Sequence, residues 1–279
     1  MLLAVLALST AGCTPLTGNS KYTYLPKSVH VNGSKESVEY IYDDNMHLQK
    51  LSCTDYFGPH SFPVTTDRKG NVLSYEGQYR QSDDVIAFKQ VSFTYTKNGK
   101  LLTSKEGSTI KERTYDSKGL LKSLKRTRNS YVVYMECEYD RNENLISIYK
   151  YRDTVSDENL YMATELSYNE QGQRTQEVCY DGDGNCIGSV QYSYTDSNTI
   201  AQLKRFTTDG NLHNTTTFTF DACGNLIEQQ VEGKDYNAKS TYTYEYIKVP
   251  ISSAPQNVYV YHKTLPELDI FDWYDFSNV

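Results

Sequence analysis

A seven-residue string recurs along this chain: an aromatic residue, Asp (or Asn or Thr), two variable residues, Gly, Asn, then an aliphatic residue. Its clearest copies are Tyr115-Asp116-Ser117-Lys118-Gly119-Leu120-Leu121, Tyr180-Asp181-Gly182-Asp183-Gly184-Asn185-Cys186 and Phe220-Asp221-Ala222-Cys223-Gly224-Asn225-Leu226. Looser copies begin at Thr66, Tyr95, Tyr139, Tyr168 and Phe206. Asp or Asn accepts backbone N–H bonds and so caps a turn. Gly supplies the positive-φ position that closes a reversal. The flanking aromatic and aliphatic residues open the two strands. The copy at Tyr139 carries Glu143 where Gly is expected, which predicts a distorted turn there.

The spacing adds topology. In the C-terminal half the turns begin near 169, 181, 195, 207 and 221, in steps of 12, 14, 12 and 14, which is a 26-residue unit of two strands and two turns. In the first half only one turn of each hairpin carries the motif. Between turns the chain alternates, as in Tyr192 and Tyr194, Phe218 and Phe220, or Tyr242, Tyr244 and Tyr246. Period-two spacing places each set on one face of a strand. Hydrophobic residues are only 38%, yet there are 26 Tyr and 9 Phe, so tyrosine replaces the missing aliphatic mass. Its apolar body and polar tip suit half-buried strands.

These repeats resemble the YD repeats of Rhs-type proteins, over roughly residues 38 to 247. In large members of that family long arrays coil into a hollow shell around a toxin. The array here is too short for such a shell by that resemblance. The expected fold is all-β: tandem antiparallel β-hairpins in an open, twisted meandering sheet, rolled at most at one end. The expected organisation is a signal peptide (1–12), a flexible tether (13–20), the hairpin-repeat domain (21–247) and a Pro/aromatic tail or cap (248–279). Segments 21–42 and 248–279 are candidate covers for the sheet edges, which would otherwise pair with other chains. The tail holds the sole Trp, Trp273, beside Ile270, Phe271, Tyr274 and Phe276.

Leu2 to Leu8 form an apolar run too short to span a bilayer as a helix, followed by Ser9-Thr10-Ala11-Gly12-Cys13. This pentapeptide resembles a bacterial lipobox, which implies cleavage before Cys13 and a diacylglycerol on its thiol. Thr10 departs from the usual Leu, Val or Ile, and no Lys or Arg precedes the run. The implied place is the cell envelope, exported and lipid-anchored, with the membrane as a partner through that anchor.

Six cysteines (13, 53, 137, 179, 186, 223) leave five after Cys13, so not all can pair within one chain. Cys179 and Cys186 flank a turn and could bridge if their Cα atoms come within about 4.4–6.8 Å. No spacing fits a zinc site, and His30, His47, His60, His213 and His262 are scattered. Asp181-x-Asp183-x-Asn185 begins like a calcium loop, but Cys186 replaces the required Gly and Tyr192 the required Glu. No metal or cofactor is expected. A net charge of −7 and the absence of a basic stripe argue against nucleic acid. The local cluster Lys125, Arg126 and Arg128 reads as a solvated strand face. No nucleophile elbow, metalloprotease or phosphate-loop motif is present. Asp43-Asp44 and Asp83-Asp84 lie in turn-like neighbourhoods that favour capping. The reading is a non-catalytic surface module for a protein or glycan ligand. The alternatives are a glycan hydrolase using turn carboxylates and a relic of a toxin-delivery array.

Overall fold

The computed structural model describes residues 22–32, 35–55, 58–82, 85–196, 199–222, 226–233 and 240–250. Among them the repeat turns share one geometry. The N–H of the first turn residue (Asp43, Asp67, Asp116, Asp140, Asn169 or Asp181, for example) bonds the carbonyl four residues on. The N–H of the fourth turn residue bonds back to the first carbonyl. The first side chain completes the cap: its Oδ1 accepts the N–H groups two and four residues later at 2.8–3.1 Å, at Asp43, Asp67, Asp116, Asp140, Asn169 and Asp181 alike. The fourth position has positive φ, as at Gly70 (80°) and Gly119 (84°). The turn near 140 is not distorted. Glu143 takes φ 67° in place of Gly and keeps both turn hydrogen bonds. Met46, at φ 63°, closes a further copy, Tyr42-Asp43-Asp44-Asn45-Met46-His47-Leu48.

These turns join strands β1 (Tyr22–Asn32), β2 (Ser37–Tyr42), β3 (Leu48–Asp55), β4 (Gly58–Thr66), β5 (Val72–Ser82), β6 (Val85–Tyr95), β7 (Leu101–Glu106), β8 (Thr109–Tyr115) and β9 (Leu121–Arg128). They continue through β10 (Tyr131–Tyr139), β11 (Leu145–Arg152), β12 (Leu160–Tyr168), β13 (Arg174–Asp181), β14 (Cys186–Tyr194), β15 (Ile200–Phe206), β16 (Leu212–Phe220), β17 (Leu226–Gly233) and β18 (Ser240–Pro250). At each repeat turn the register slips by one residue, so Tyr42 opposes Leu48, Tyr115 opposes Leu121 and Tyr168 opposes Arg174. This bulge is the companion of a type I turn that ends in a left-handed residue.

The strands are antiparallel neighbours in chain order. β1 pairs with β18 as well as with β2, so the sheet is closed, as in a barrel, rather than the open meander expected. The physical reason is the edge. A first and a last strand left open would each expose a row of unpaired N–H and C=O groups, and mutual pairing removes both rows. Segment 21–42 is accordingly not a cover laid over an edge: Tyr22–Asn32 is the strand that seals the sheet. The tail beyond Pro250 lies outside the described residues.

The chain divides into two compact units. One gathers the described residues of Met1–Gln90, Phe220–Glu228 and Tyr242–Val279; the other gathers Val91–Thr219 and Gln229–Thr241. Each has its own buried face. In the first, Leu25, Val29, Leu48, Leu51, Phe62 and Val72 are buried. In the second, alternate residues turn inward, as in Met162, Thr164 and Leu166 of β12. Ladder pairing aligns them in rows: Leu166, Glu177, Val190, Arg205 and Asn214 form one, and Ile148, Thr164, Cys179 and Gly188 another.

Candidate functional site

The inner face of the second unit is chemically mixed. Among Val133, Met135, Ile148 and Leu203 it buries Arg113, Lys150, Glu177, Arg205, Asn214 and Thr216. A buried charge is tolerable only when paired and hydrogen-bonded. Glu177, 3% exposed, accepts Arg174 Nη1 at 2.8 Å and the Tyr192 hydroxyl. The Arg174 guanidinium also lies 5.7 Å from the Tyr192 ring centroid. Burial lowers the affinity of Arg174 for its proton, but Glu177 and the neighbouring tyrosines outweigh it and hold Arg174 charged. Burial, then the Glu177 carboxylate, pushes Tyr192 well above the usual phenol range. Arg205 Nη1 donates to Asn214 Oδ1 at 3.2 Å and to Thr216 Oγ1 at 3.1 Å. Ile148, Lys150, Val133, Thr216 and Cys179 are essentially closed to solvent. These inner rows of the unit are buried side by side.

Its outer face is wet. Glu112 of β8 lies 3.9 Å from Lys125 of β9, Tyr149 donates to Glu138, and Tyr180 donates to Glu165. Thr114 bonds Ser123, and Gln202 bonds Thr217. A lipid-facing wall would need an apolar band, with a cost of about 2–4 kcal/mol for a Lys or Arg at the bilayer midplane. Beside these polar pairs Leu102, Ile110, Tyr131 and Leu212 of this unit are also exposed. A shallow recess lined by Asn211–Thr215, Glu232 and Gly233 is open to solvent.

The first unit brings together a trio that the sequence reading did not single out. Cys53 of β3 sits opposite His60 of β4, and His60 Nε2 lies 3.6 Å from Asp55 Oδ2. The His60 ring packs edge-on against Phe62 and beside Tyr79. The residue types match a cysteine nucleophile with its base and orienting acid. The electrostatics do not: burial pushes the Cys53 thiol up to about 11, and Asp55 opposes the relief given by Lys89. A thiol at that value is not the thiolate that attacks. The alternating pattern around positions 53 and 60 could have placed both on strands, but not their register.

The residues expected to matter fall as follows. Cys13 and the preceding apolar run, His262, Asp83-Asp84 and Cys223 lie outside the described residues. Cys179 opposes Gly188 while Cys186 opposes Tyr180, and the two are not joined by a disulfide. The bulge offsets the two cysteines, and Cys179 is buried beside Thr164 whereas Cys186 is exposed. Asp43, Asp67, Asp116, Asp140 and Asp181 are engaged as turn caps, not aimed at a common point. Asp181 takes the N–H groups of Asp183 and Asn185 with its Oδ1 and the Asn185 amide with both oxygens. Among the described residues no group of three His, Cys, Asp or Glu could hold a metal ion. His30 bonds Ser28, and His47 closes the turn capped by Asp43. Lys125 and Arg126 point to opposite faces of β9, so the basic cluster is not a single patch.

What the sequence did not show is a set of phenol staples along the strand ends that carry the turns near 96, 116, 140, 169 and 195. Tyr115 donates to the Leu101 carbonyl at 2.6 Å, Tyr139 to Leu121 at 2.9 Å, Tyr168 to Leu145 at 2.7 Å and Tyr194 to Arg174 at 2.8 Å. Each acceptor is the first residue of the strand that leaves the previous turn at the same end of the strands. Tyr42 donates to a carbonyl inside β1, that of Pro26, at 2.8 Å. The aromatic of the repeat is tyrosine at these positions because its hydroxyl ties one turn to the next.

No family model matches the chain, and no curated protein does. Among solved structures it is similar to a porin-like protein from Bacteroides uniformis, with 10% identity and TM-score 0.49 over 80% of this chain and 98% of that one. A porin-like protein from Bacteroides vulgatus gives 13% identity and TM-score 0.32 over 72% and 98%. The TcdB2-TccC3 toxin structure gives 14% and 0.38 over 75% of this chain, which spans only 13% of that chain.

Proposed function

We propose that the chain is a non-catalytic scaffold or binding module of the bacterial cell envelope, anchored through lipid on Cys13, whose outer surface meets a protein or glycan ligand. One observation carries this reading: the inner residues of the second unit are buried, with Glu177 held by Arg174 and Tyr192 and Arg205 held by Asn214 and Thr216, so recognition falls to the outside. The chain runs nine residues from Cys13 to Tyr22, a reach of at most about 30 Å. β1 begins beside the repeat turns, since Tyr42 at the start of one such turn bonds Pro26. The anchor therefore holds the end of the first unit that carries the Asp43 turn toward the membrane and presents the opposite hairpins of that unit outward. Tyrosines on that surface supply contact area at low entropic cost.

The test is a glycan and protein array screened with the soluble form, residues 21–279. A ligand whose binding is lost on substituting outer-face residues of one unit supports the reading. Silence across a broad panel counts against it. Turnover of a fluorogenic glycoside, abolished by one carboxylate substitution, overturns the non-catalytic assignment.

A further inference from the structure

On the outer face of the second unit one pairing occurs twice. Tyr149 of β11 donates to Glu138 Oε2 of β10 at 3.3 Å, and Tyr180 of β13 donates to Glu165 Oε2 of β12 at 3.3 Å. Each phenol leans one strand back along the sheet and rests on an exposed glutamate. The ladder sets the two pairs in step. Glu136, Tyr149, Ala163 and Tyr180 oppose one another in one row, and Glu138, Ser147, Glu165 and Val178 in the next. Two strand spacings of about 4.8 Å put the pairs roughly 9.6 Å apart. Ala163 stands between the tyrosines, so the floor between them is low. The two rows hold three carboxylates and neither Lys nor Arg; Lys150, next to Tyr149 in sequence, turns inward and is buried.

We propose that these two pairs are clamps for a basic, proline-rich peptide in polyproline II conformation, with cationic side chains at positions i and i+3. The inference rests on the reading above that the outer surface meets a protein ligand, and it names that ligand's chemistry. Charge selects the class. A carboxylate beside an aromatic face draws an ammonium or guanidinium through a charge-assisted hydrogen bond and through the ring quadrupole. Glu136, Glu138 and Glu165 repel an anionic ligand, and a neutral one leaves their charge unused. Spacing selects the conformation. A polyproline II helix turns every three residues and rises about 3.1 Å per residue, so i and i+3 share a face about 9.3 Å apart. A ligand in β conformation presents i and i+2 on one face, about 6.7 Å apart, which falls short of the second clamp. The polyproline II form is also preformed, so docking on aromatic side chains costs it little ordering. The Tyr149 and Tyr180 hydroxyls hold Glu138 and Glu165 in position, and each carboxylate has a second oxygen to accept an N–H of the ligand.

The experiment follows the fluorescence anisotropy of a fluorescein-labelled Pro-Lys-Pro-Pro-Lys-Pro peptide titrated with the purified full chain. Companion peptides move the second Lys to i+4 or replace both Lys by Glu. The expected result is saturable binding of the first peptide and none of the Glu peptide. Affinity should fall about tenfold or more with the i+4 spacing, and again with Glu138→Gln and Glu165→Gln introduced together. It should also fall as salt rises. Both glutamates are exposed, and circular dichroism checks that the fold persists in the variant. Equal affinity for the two spacings, or binding that survives the double change, overturns the proposal. Silence with the Lys peptide also overturns it; an array hit that depends on other outer residues then leaves the surface-module reading standing. A neutral hexasaccharide that binds in the peptide's place, and is lost in the same variant, assigns the clamps to glycan and overturns the proposal too.

Discussion

Removing the phenol staples isolates the contribution of the repeat tyrosine from that of its ring. Each Tyr→Phe change at 115, 139, 168 or 194 keeps the packing and deletes one hydrogen bond of 2.6–2.9 Å from a half-buried hydroxyl to a backbone carbonyl. Such a bond contributes about 0.5–1.5 kcal/mol net, more when the abandoned carbonyl stays shielded from water. A single variant should therefore lose about 1 kcal/mol. The quadruple variant should lose about 4 kcal/mol if the sites act independently, with departures where neighbouring staples share a turn. Urea unfolding followed by circular dichroism measures this as a fall in midpoint at constant slope. Tyr131→Phe is the control, because Tyr131 is 47% exposed and stands outside the staple series. A quadruple variant within about 0.5 kcal/mol of the parent, or a loss no greater than four times that of the control, would refute the role assigned to the hydroxyl.

Three further outcomes follow from the same geometry. Glu143 holds a left-handed conformation that costs a non-glycine residue about 1 kcal/mol, so Glu143→Gly should raise the urea midpoint even though it removes the surface pair with Lys118. The caps set an acid limit: hydrogen bonds from Asn144 and Asn185 hold the Asp140 and Asp181 carboxyls below the usual range. A carboxyl depressed on folding stabilises above its unfolded value near 3.8 and loses that contribution as pH falls through its folded value, so the midpoint should drop below about pH 4 and Asp140→Asn should flatten the drop. Glu177→Leu leaves Arg174 without its carboxylate and should cost on the order of 3 kcal/mol, whereas Arg174→Met with Glu177→Leu should recover much of it, read by the same unfolding assay.

The turns were legible because they obey local chemistry. Asp116 and Gly119 announce a capped reversal through a side-chain acceptor and a positive φ, and both needs are met within one short segment. The copy at Met46 escaped because a methionine fills the glycine position, held there by the cap at Asp43 and by the ladder on either side. Closure was not legible. Whether Lys27 of β1 meets Glu245 of β18 is fixed by register accumulated across the intervening strands, and no local residue encodes it. The same holds for the inner row. Glu177 looks like a surface residue in the sequence, and only its ladder position between Leu166 and Val190 shows that it is buried. The positions of Cys179 and Cys186 show a finer effect of register. Two cysteines around a turn seem opposed until a one-residue bulge moves Cys186 against Tyr180.

The sealing of the first strand to the last is best tested by a covalent trap. Lys27 Nζ lies 2.9 Å from Glu245 Oε2 between β1 and β18. With Lys27→Cys and Glu245→Cys introduced together, mild oxidation of dilute protein followed by peptide mapping should recover the segments around 27 and 245 joined within one chain. Recovery of that link only between chains, or its absence while the hairpin pairing of β1 with β2 persists, would show that the two ends of the ladder stand apart.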